Sequence, residues 1–177
     1  SWTNYQIFNG SSLSSNVWNH QTENTPIDYD NIFSPYCTLT LTAVFKKEAL
    51  NLELLKSFKY SKDNSLYLVL LQKGKGVFMD FESAVYRVHE GGVYSLQSEF
   101  FKNYSSYLNV KEVTDAIPES KTANLKKVVK SLGNATAFEV LKLKNAGQDL
   151  SEVQLNFMKS YFQEADFKTK FKYYKRL

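Results

Sequence analysis

The sequence has one cysteine, three prolines and seven glycines among its 177 residues, which excludes several classes of protein. A disulfide-stabilised scaffold needs paired cysteines, and Cys37 has no partner in the chain. Low-complexity disorder is excluded because charged residues make up 23% and aromatic residues 15% of the chain. These figures fit a globular protein with enough apolar mass for a core.

Long apolar runs and metal-binding side chains are also scarce. The longest apolar run, residues 66–71, has six residues, whereas a transmembrane helix needs about 20. No internal repeat is visible, which excludes solenoids and propellers. The histidines are His20 and His89, too few for a structural zinc site, which needs about four N or S ligands. No cofactor is therefore expected.

Positive charge is concentrated near the C-terminus. The net charge is +4, but residues 118–177 carry 12 basic and 6 acidic side chains, while residues 1–45 carry no lysine or arginine. This asymmetry favours a polyanion or an acidic protein surface as partner. The unpaired cysteine slightly favours a reducing compartment, with a processed, secreted protein as the alternative.

The first 35 residues differ in composition from the rest. Residues 1–35 are rich in Asn, Ser, Thr and Gln, and they show neither helical nor strand periodicity. Irregularly spaced aromatic residues predict an extended arm that is anchored on the body by its rings. We therefore expect an arm over residues 1–35 and a single α+β domain over residues 36–177.

The middle of the chain predicts β-structure. Residues 37–43 alternate between apolar side chains and threonine, and residues 66–72 form the apolar run of a buried strand. Glycine-containing segments at 73–76 and 89–92 separate apolar runs, as in β-hairpins. The sequence thus predicts an antiparallel β-meander, either an open sheet or a small barrel, near residues 36–98.

The last third predicts helices near residues 119–172. Apolar residues over 125–132 recur at helical spacing, and Gly133 stands where a helix C-cap is expected. A short helix is favoured over residues 136–144 and would end at Gly147.

A long amphipathic helix is predicted after Ser151. Ser151 and Gln154 have the spacing of a capping box, in which each side chain satisfies a backbone amide at the start of a helix. The side chains expected on its buried face are Val153, Phe157, Met158, Tyr161, Phe162 and Ala165.

The most distinctive segment is the last one, in which basic and aromatic residues are interleaved. Cations that neutralise phosphates and rings that stack on bases are used for single-strand nucleic-acid binding. The alternative is a helix terminus whose cations complement the macrodipole while the rings pack inward. We expect a non-catalytic binding or interaction module that engages another macromolecule, a protein or a polyanion such as nucleic acid. The predicted binding residues are Lys168, Lys170, Phe171, Lys172, Tyr173, Tyr174, Lys175 and Arg176, with Lys73 and Lys75 from the loop at 73–76.

A metal-dependent nuclease, or a degenerate relative of one, is the first alternative. Asp80 and Glu82 lie two residues apart, on one side of a predicted strand, as in sites that hold Mg²⁺. Asp115, followed by Glu139 and Lys142, loosely resembles the Asp and Glu-x-Lys unit of the restriction-endonuclease-like superfamily. Two residues instead of one separate Glu139 from Lys142, so no family is assigned.

A carrier of small apolar ligands is the second alternative. The chain has 25 phenylalanine and tyrosine residues, enough to line a cavity between the sheet and the long helix. A phosphate-binding loop at residues 73–76 is not expected, because a strand pattern follows it where a helix would be needed.

Overall fold

A computed structural model of the protein has an α+β fold, which confirms the predicted fold class. A curled, four-stranded mixed sheet is followed by a helical C-terminal part. None of the described helices is long and apolar enough to cross a membrane. The residues that the structure describes are 1–15, 25–33, 39–89, 91, 96–165 and 170.

The sheet combines the beginning of the chain with one long strand from its middle. Its strands are β1 (Trp2–Phe8), β2 (Leu13–Ser15), β3 (Thr25–Ile27) and β4 (Gly76–Arg87), in the order β2-β1-β4-β3. β1 and β4 are parallel, and the other two pairs are antiparallel. The turn between β1 and β2 is stabilised by Asn9, whose side-chain oxygen accepts a hydrogen bond from the amide of Ser12 at 2.9 Å.

Five α-helices and several short 3₁₀ turns account for most of the other described residues. The helices are α1 (Leu52–Ser57), α2 (Asp63–Leu70), α3 (Glu99–Ala116), α4 (Ala123–Asn145) and α5 (Glu152–Glu164). The 3₁₀ turns are Thr40–Thr42, Lys47–Ala49, Leu71–Lys73 and Pro118–Ser120.

Side-chain caps mark where the longer helices begin. Ser98 and Thr122 accept hydrogen bonds from amides in the first turns of α3 and α4, at 3.3 and 3.2 Å. The capping box predicted for α5 is confirmed: the Ser151 amide donates to Gln154 Oε1 at 2.8 Å, and the Gln154 amide donates to Ser151 Oγ at 3.4 Å. Gly147, with φ of 71°, follows the end of α4, as predicted.

Two apolar clusters form the core. The first packs the sheet against α2 and the end of α3, with Trp2 and Tyr67 in edge contact at 5.6 Å between ring centroids. The second joins α3, α4 and α5 around Phe157 and Tyr161, whose rings stack at 5.4 Å. Phe157, Met158 and Tyr161 of the predicted stripe are buried, whereas Val153 is 50% exposed.

The strand predicted over residues 66–72 is wrong, because most of these residues form α2 and the 3₁₀ turn after it. Tyr67 through Leu71 are all buried, so no polar face marks the helical period in the sequence. The first predicted hairpin is wrong for the same reason. The apolar run after the segment at 73–76 (residues 77–82) and the one before the segment at 89–92 (residues 84–88) were predicted in two different hairpins, but they lie almost wholly in the single strand β4.

Other local predictions also differ from the structure. Within 37–43, residues 37 and 38 lie outside the described part, and Thr40–Thr42 is a 3₁₀ turn instead of a strand. The return strand of the second predicted hairpin, residues 93–96, falls mostly on residues 93–95, which also lie outside the described part of the chain. Gly133 is a buried position inside α4, not a C-cap, and α4 continues through residues 136–144.

The beginning of the chain contributes to the sheet directly. Trp2–Phe8, within the predicted arm, pairs with β4, so the sheet does not start at residue 36. Trp2–Phe8 is an extended strand, and Trp2 is 3% exposed. The division into an arm and one domain stays a prediction.

Candidate ligand-binding cavity

A cavity of about 710 Å³ lies between the end of β4 and helices α2, α3 and α4. Cavities of about 300–1,000 Å³ are typical of small-molecule sites. Of the described side chains around this cavity, six are apolar or aromatic and four are polar. The lining residues are Phe33, Leu39, Tyr86, Val110, Val128 and Leu132, together with Lys62, Asp63, Asn64 and Ser106.

The apolar wall comes from regular positions on two packed helices and one strand. Val128 and Leu132 are four residues apart on α4, so they lie on the same face, one turn from each other. Val110 on α3 is 1% exposed and joins this wall to the core. Tyr86, near the end of β4, is 46% exposed and makes an edge contact with Tyr5 at 6.3 Å.

The polar lining residues lie close together, at the start of α2 and on α3. The Lys62 ammonium group donates a hydrogen bond to Ser105 Oγ at 2.5 Å, and Ser105 Oγ donates to the carbonyl of Lys102 at 3.2 Å. None of the ion pairs in the described part of the chain involves Lys62. Lys62 is therefore a cation at the edge of the cavity that is held by a hydroxyl group instead of a carboxylate.

The backbone of Lys62 is fixed by a buried hydrogen-bond network. Its amide donates to Ser65 Oγ at 3.2 Å, and Ser65 Oγ also accepts a hydrogen bond from the side-chain amide of Asn109. Asn109 is fully buried and donates to the carbonyl of Tyr60 at 2.7 Å. Because these contacts join α2 to α3, Lys62 is positioned from both helices.

The carboxylate of the neighbouring Asp63 is bonded to Thr40. Thr40 Oγ1 donates to Asp63 Oδ2 at 2.5 Å and lies 2.9 Å from the Tyr67 hydroxyl. Because the Thr40 hydroxyl has one hydrogen, the Tyr67 hydroxyl is the donor in the second contact. Burial raises the pKa of Tyr67 to about 12, so it stays a neutral donor at ordinary pH. Partial burial lowers the pKa of Lys62, although the Asp63 carboxylate acts in the opposite direction.

A smaller pocket of about 260 Å³ contains the two loop lysines that the sequence singles out. Lys73 and Lys75 line it together with Lys46, around apolar side chains that include Trp2 and Phe45. Lys75 is not a free cation, since its ammonium group lies 2.9 Å from Asp28 Oδ2. That hydrogen bond raises the pKa of Lys75 and lowers the pKa of Asp28.

The predicted acidic pair on β4 is bonded to the neighbouring strand. Asp80 accepts a hydrogen bond from the side-chain amide of Asn4 at 2.6 Å, and Glu82 accepts one from Gln6 at 2.8 Å. Both carboxylates are exposed. These contacts are the cross-strand pairs that a solvent-facing strand provides.

The other acidic candidates are on helices and pair with lysines of the same helix. Asp115 lies 2.8 Å from Lys111 on α3, and Glu139 lies 3.6 Å from Lys142 on α4. Across the described ranges, no group of three or more His, Cys, Asp or Glu side chains could hold a metal ion. The structure therefore provides no observation that favours the nuclease alternative.

The C-terminal binding residues lie mostly outside the described part of the chain, which contains only Lys170 of that segment. Lys170 is exposed, and its ammonium group donates to the carbonyl of Gln163 at 3.4 Å. The binding role of this segment stays a prediction. Outside the described residues are Lys168, Phe171, Lys172, Tyr173, Tyr174, Lys175 and Arg176.

No motif in the sequence marks the residues that line the large cavity. The polar stretch of residues 62–65 has the composition of a turn, but a polar group before an apolar run is also typical of a helix N-terminus. Tyr86 lies in an apolar run before the glycine-containing segment at 89–92, and nothing in that pattern indicates that helices face it. Its neighbours Val110 and Val128 come from segments that only the folded chain brings together.

Comparison with known proteins gives no further assignment. No protein-family model, no curated protein and no solved structure matches this chain.

Proposed function

We propose that the protein is a non-catalytic ligand-binding protein that holds a small molecule with an apolar body in the cavity between β4 and helices α2–α4. The observation that carries this proposal is the cavity of about 710 Å³, whose wall is mainly apolar and whose polar groups are few and close together. This combination is characteristic of ligand sites, in which apolar walls provide affinity and a few polar groups provide orientation.

The apolar wall predicts how affinity depends on the ligand. Each methylene group that leaves water contributes about 0.8 kcal/mol, and about 1.4 kcal/mol corresponds to a factor of ten in affinity. In a series of straight-chain alcohols, affinity should therefore rise about fourfold with each added methylene until the cavity is filled. Binding to a nonspecific surface site would give a smaller gain in affinity with each methylene, and the gain would not stop at a particular chain length.

The experiment uses the neutral fluorophore N-phenylnaphthylamine, which becomes bright when it leaves water. The native protein should bind it saturably, and Val128→Trp, which places a bulky ring in the cavity from α4, should weaken binding. Val153→Trp is the matched control, because Val153 is 50% exposed on α5 and does not line the cavity. Leu132→Phe is a milder second variant, and circular dichroism verifies that each variant is folded.

Two results would refute this proposal. One is the absence of saturable binding by the native protein, and the other is unchanged binding by folded Val128→Trp and Leu132→Phe. Native mass spectrometry of protein purified without added ligand adds an independent test, because a co-purified small molecule would appear as a discrete mass increase.

A second proposal is that the C-terminal segment engages another macromolecule. The observation that favours it is the charge of α4, which is separated from the segment by α5 and carries five exposed lysines against one glutamate. These exposed lysines are Lys126, Lys127, Lys130, Lys142 and Lys144. A positively charged surface of this kind increases the rate and affinity of binding to a polyanion.

Binding to single-stranded nucleic acid, measured as a function of salt concentration, tests this second proposal. The logarithm of the binding constant should fall linearly with the logarithm of the salt concentration, with a slope set by the number of phosphates contacted. Truncation after Asp166 should remove most of the binding while unfolding stays cooperative. Unchanged binding by the truncated chain would exclude the segment as the interface.

A further inference from the structure

We infer that the ligand of the large cavity is an amphipathic carboxylate, whose apolar chain lies against α3 and α4 and whose carboxylate binds the Lys62 ammonium group. This inference rests on the proposed function and adds the chemical class of the ligand to it. A medium-chain fatty acid is the simplest molecule of this class.

The distribution of lining residues supports an amphipathic ligand. Lys62, Asp63 and Asn64 are consecutive residues at the start of α2, and Ser106 adjoins the serine that holds Lys62. The apolar lining on α3 and α4 is provided by Val110 and by residues one turn apart on α4. A ligand that occupied both regions would need one polar end and one apolar end.

The charges next to the polar region favour an anion. Among the described residues that line the cavity, Lys62 is the one cationic side chain, and its ammonium group contacts the hydroxyl of Ser105 instead of a carboxylate. An ammonium group has three hydrogens, so donation to Ser105 leaves it able to donate to a ligand as well. The lowered pKa of Lys62 supports this role, because burial destabilises the charged ammonium group and a bound anion would stabilise it.

Asp63 does not prevent the binding of a carboxylate. Its Oδ2 atom accepts the hydrogen bond from Thr40, whose own oxygen accepts the hydrogen bond from Tyr67. Asp63 is not within ion-pair distance of Lys62, and its carboxylate is exposed to solvent, which screens it. The amino end of α2 adds a partial positive charge beside both residues.

The experiment compares decanoate, decanol and decylamine, which share one chain length and differ in the charge of the polar end. Each displaces N-phenylnaphthylamine from the native protein, from Lys62→Met and from the control Lys159→Met. Lys159 is exposed on α5 and does not line the cavity. Methionine keeps much of the apolar stem of lysine and removes its charge. Lys62→Arg, which restores a cation, is a second variant.

The native protein should bind decanoate about tenfold more tightly than decanol, because the contact is a charge-assisted hydrogen bond at a partly exposed site. Decylamine should bind most weakly. Lys62→Met should remove the preference for decanoate but keep the affinity for decanol, and Lys62→Arg and Lys159→Met should keep the preference.

The outcomes separate this inference from the proposal on which it rests. Equal binding of decanoate and decanol by the native protein, with saturable probe binding, would overturn the carboxylate assignment and leave the cavity function intact. A decanoate preference that persists in Lys62→Met would overturn the role of Lys62. Failure of the native protein to bind the probe or any of the three ligands would overturn both.

Discussion

Gly133→Ala tests the packing of α4 on α5, which completes the helical layer of the protein. A methyl group on Gly133 would lie 2.4 Å from Cε2 and 2.8 Å from Cζ of Tyr161, whereas carbon atoms in contact are normally about 3.5–4.0 Å apart. The Tyr161 ring is 7% exposed and packs on Phe157 and Tyr107, so it has little space to move.

The expected change in the free energy of unfolding combines a loss from overpacking with a gain from the higher helix propensity of alanine. Overpacking of a buried site costs about 1–3 kcal/mol. Movement of the ring also weakens the hydrogen bond of the Tyr161 hydroxyl, whose one hydrogen is shared between the Lys130 carbonyl, at 3.3 Å, and Asn134 Oδ1, at 3.1 Å, and which contributes about 1 kcal/mol. Alanine is favoured over glycine inside a helix by about 1 kcal/mol. We therefore expect a net loss of about 1–3 kcal/mol in the free energy of unfolding.

Urea denaturation of a double-mutant cycle with Tyr161→Leu measures this effect. Leucine ends before the atoms that meet the new methyl group, so Gly133→Ala in the Tyr161→Leu background should stabilise the protein by about 1 kcal/mol. The change of sign is the diagnostic result, because a C-cap glycine would lose stability in both backgrounds. A destabilisation of equal size in both backgrounds would refute the packing described for Gly133.

Three further predictions concern caps and titrating groups. Ser151→Ala should lower the free energy of unfolding by about 1 kcal/mol in urea denaturation, because it removes one half of the capping box with Gln154. The pKa of Tyr67 is raised to about 12, so the unfolded chain loses this proton first as pH rises above about 10. The stabilisation that the neutral Tyr67 hydroxyl gives the folded protein should be complete below pH 10 and lost towards pH 12. Tyr67→Phe should reduce that loss. The hydrogen bond from Lys75 lowers the pKa of Asp28, so this stabilisation should be lost as pH falls through the lowered value, and Asp28→Asn should flatten the acid limb of the stability profile.

The helical part of the fold could be predicted because its signals are local. The capping box at Ser151, the glycine after α4 and the buried aromatic residues of α5 each depend on residues within one or two turns. Gly133 was placed wrongly, because a buried glycine against a tyrosine ring and a C-cap glycine look alike in the sequence. What distinguishes them is the contact with Tyr161, which lies 28 positions away.

The sheet and the cavity could not be predicted in the same way. β1 pairs in parallel with β4, more than 70 residues later in the chain, and the intervening sequence gives no sign of this pairing. Tyr67 through Leu70 of α2 are all buried, so its apolar run has the composition of a buried strand. Lys62 and Val128 line the same cavity because α2 and α4 both pack against α3. The position of the candidate site is therefore a property of the tertiary packing.

The most direct test of the central claim is an isotope-filtered NOE experiment on the labelled protein with unlabelled decanol. NOEs from the decanol chain to the methyl groups of Val110, Val128 and Leu132 are predicted, because these residues line the cavity and Val110 is 1% exposed. NOEs confined to exposed methyl groups, such as those of Val153 and Leu155, would contradict the claim that this cavity is the binding site.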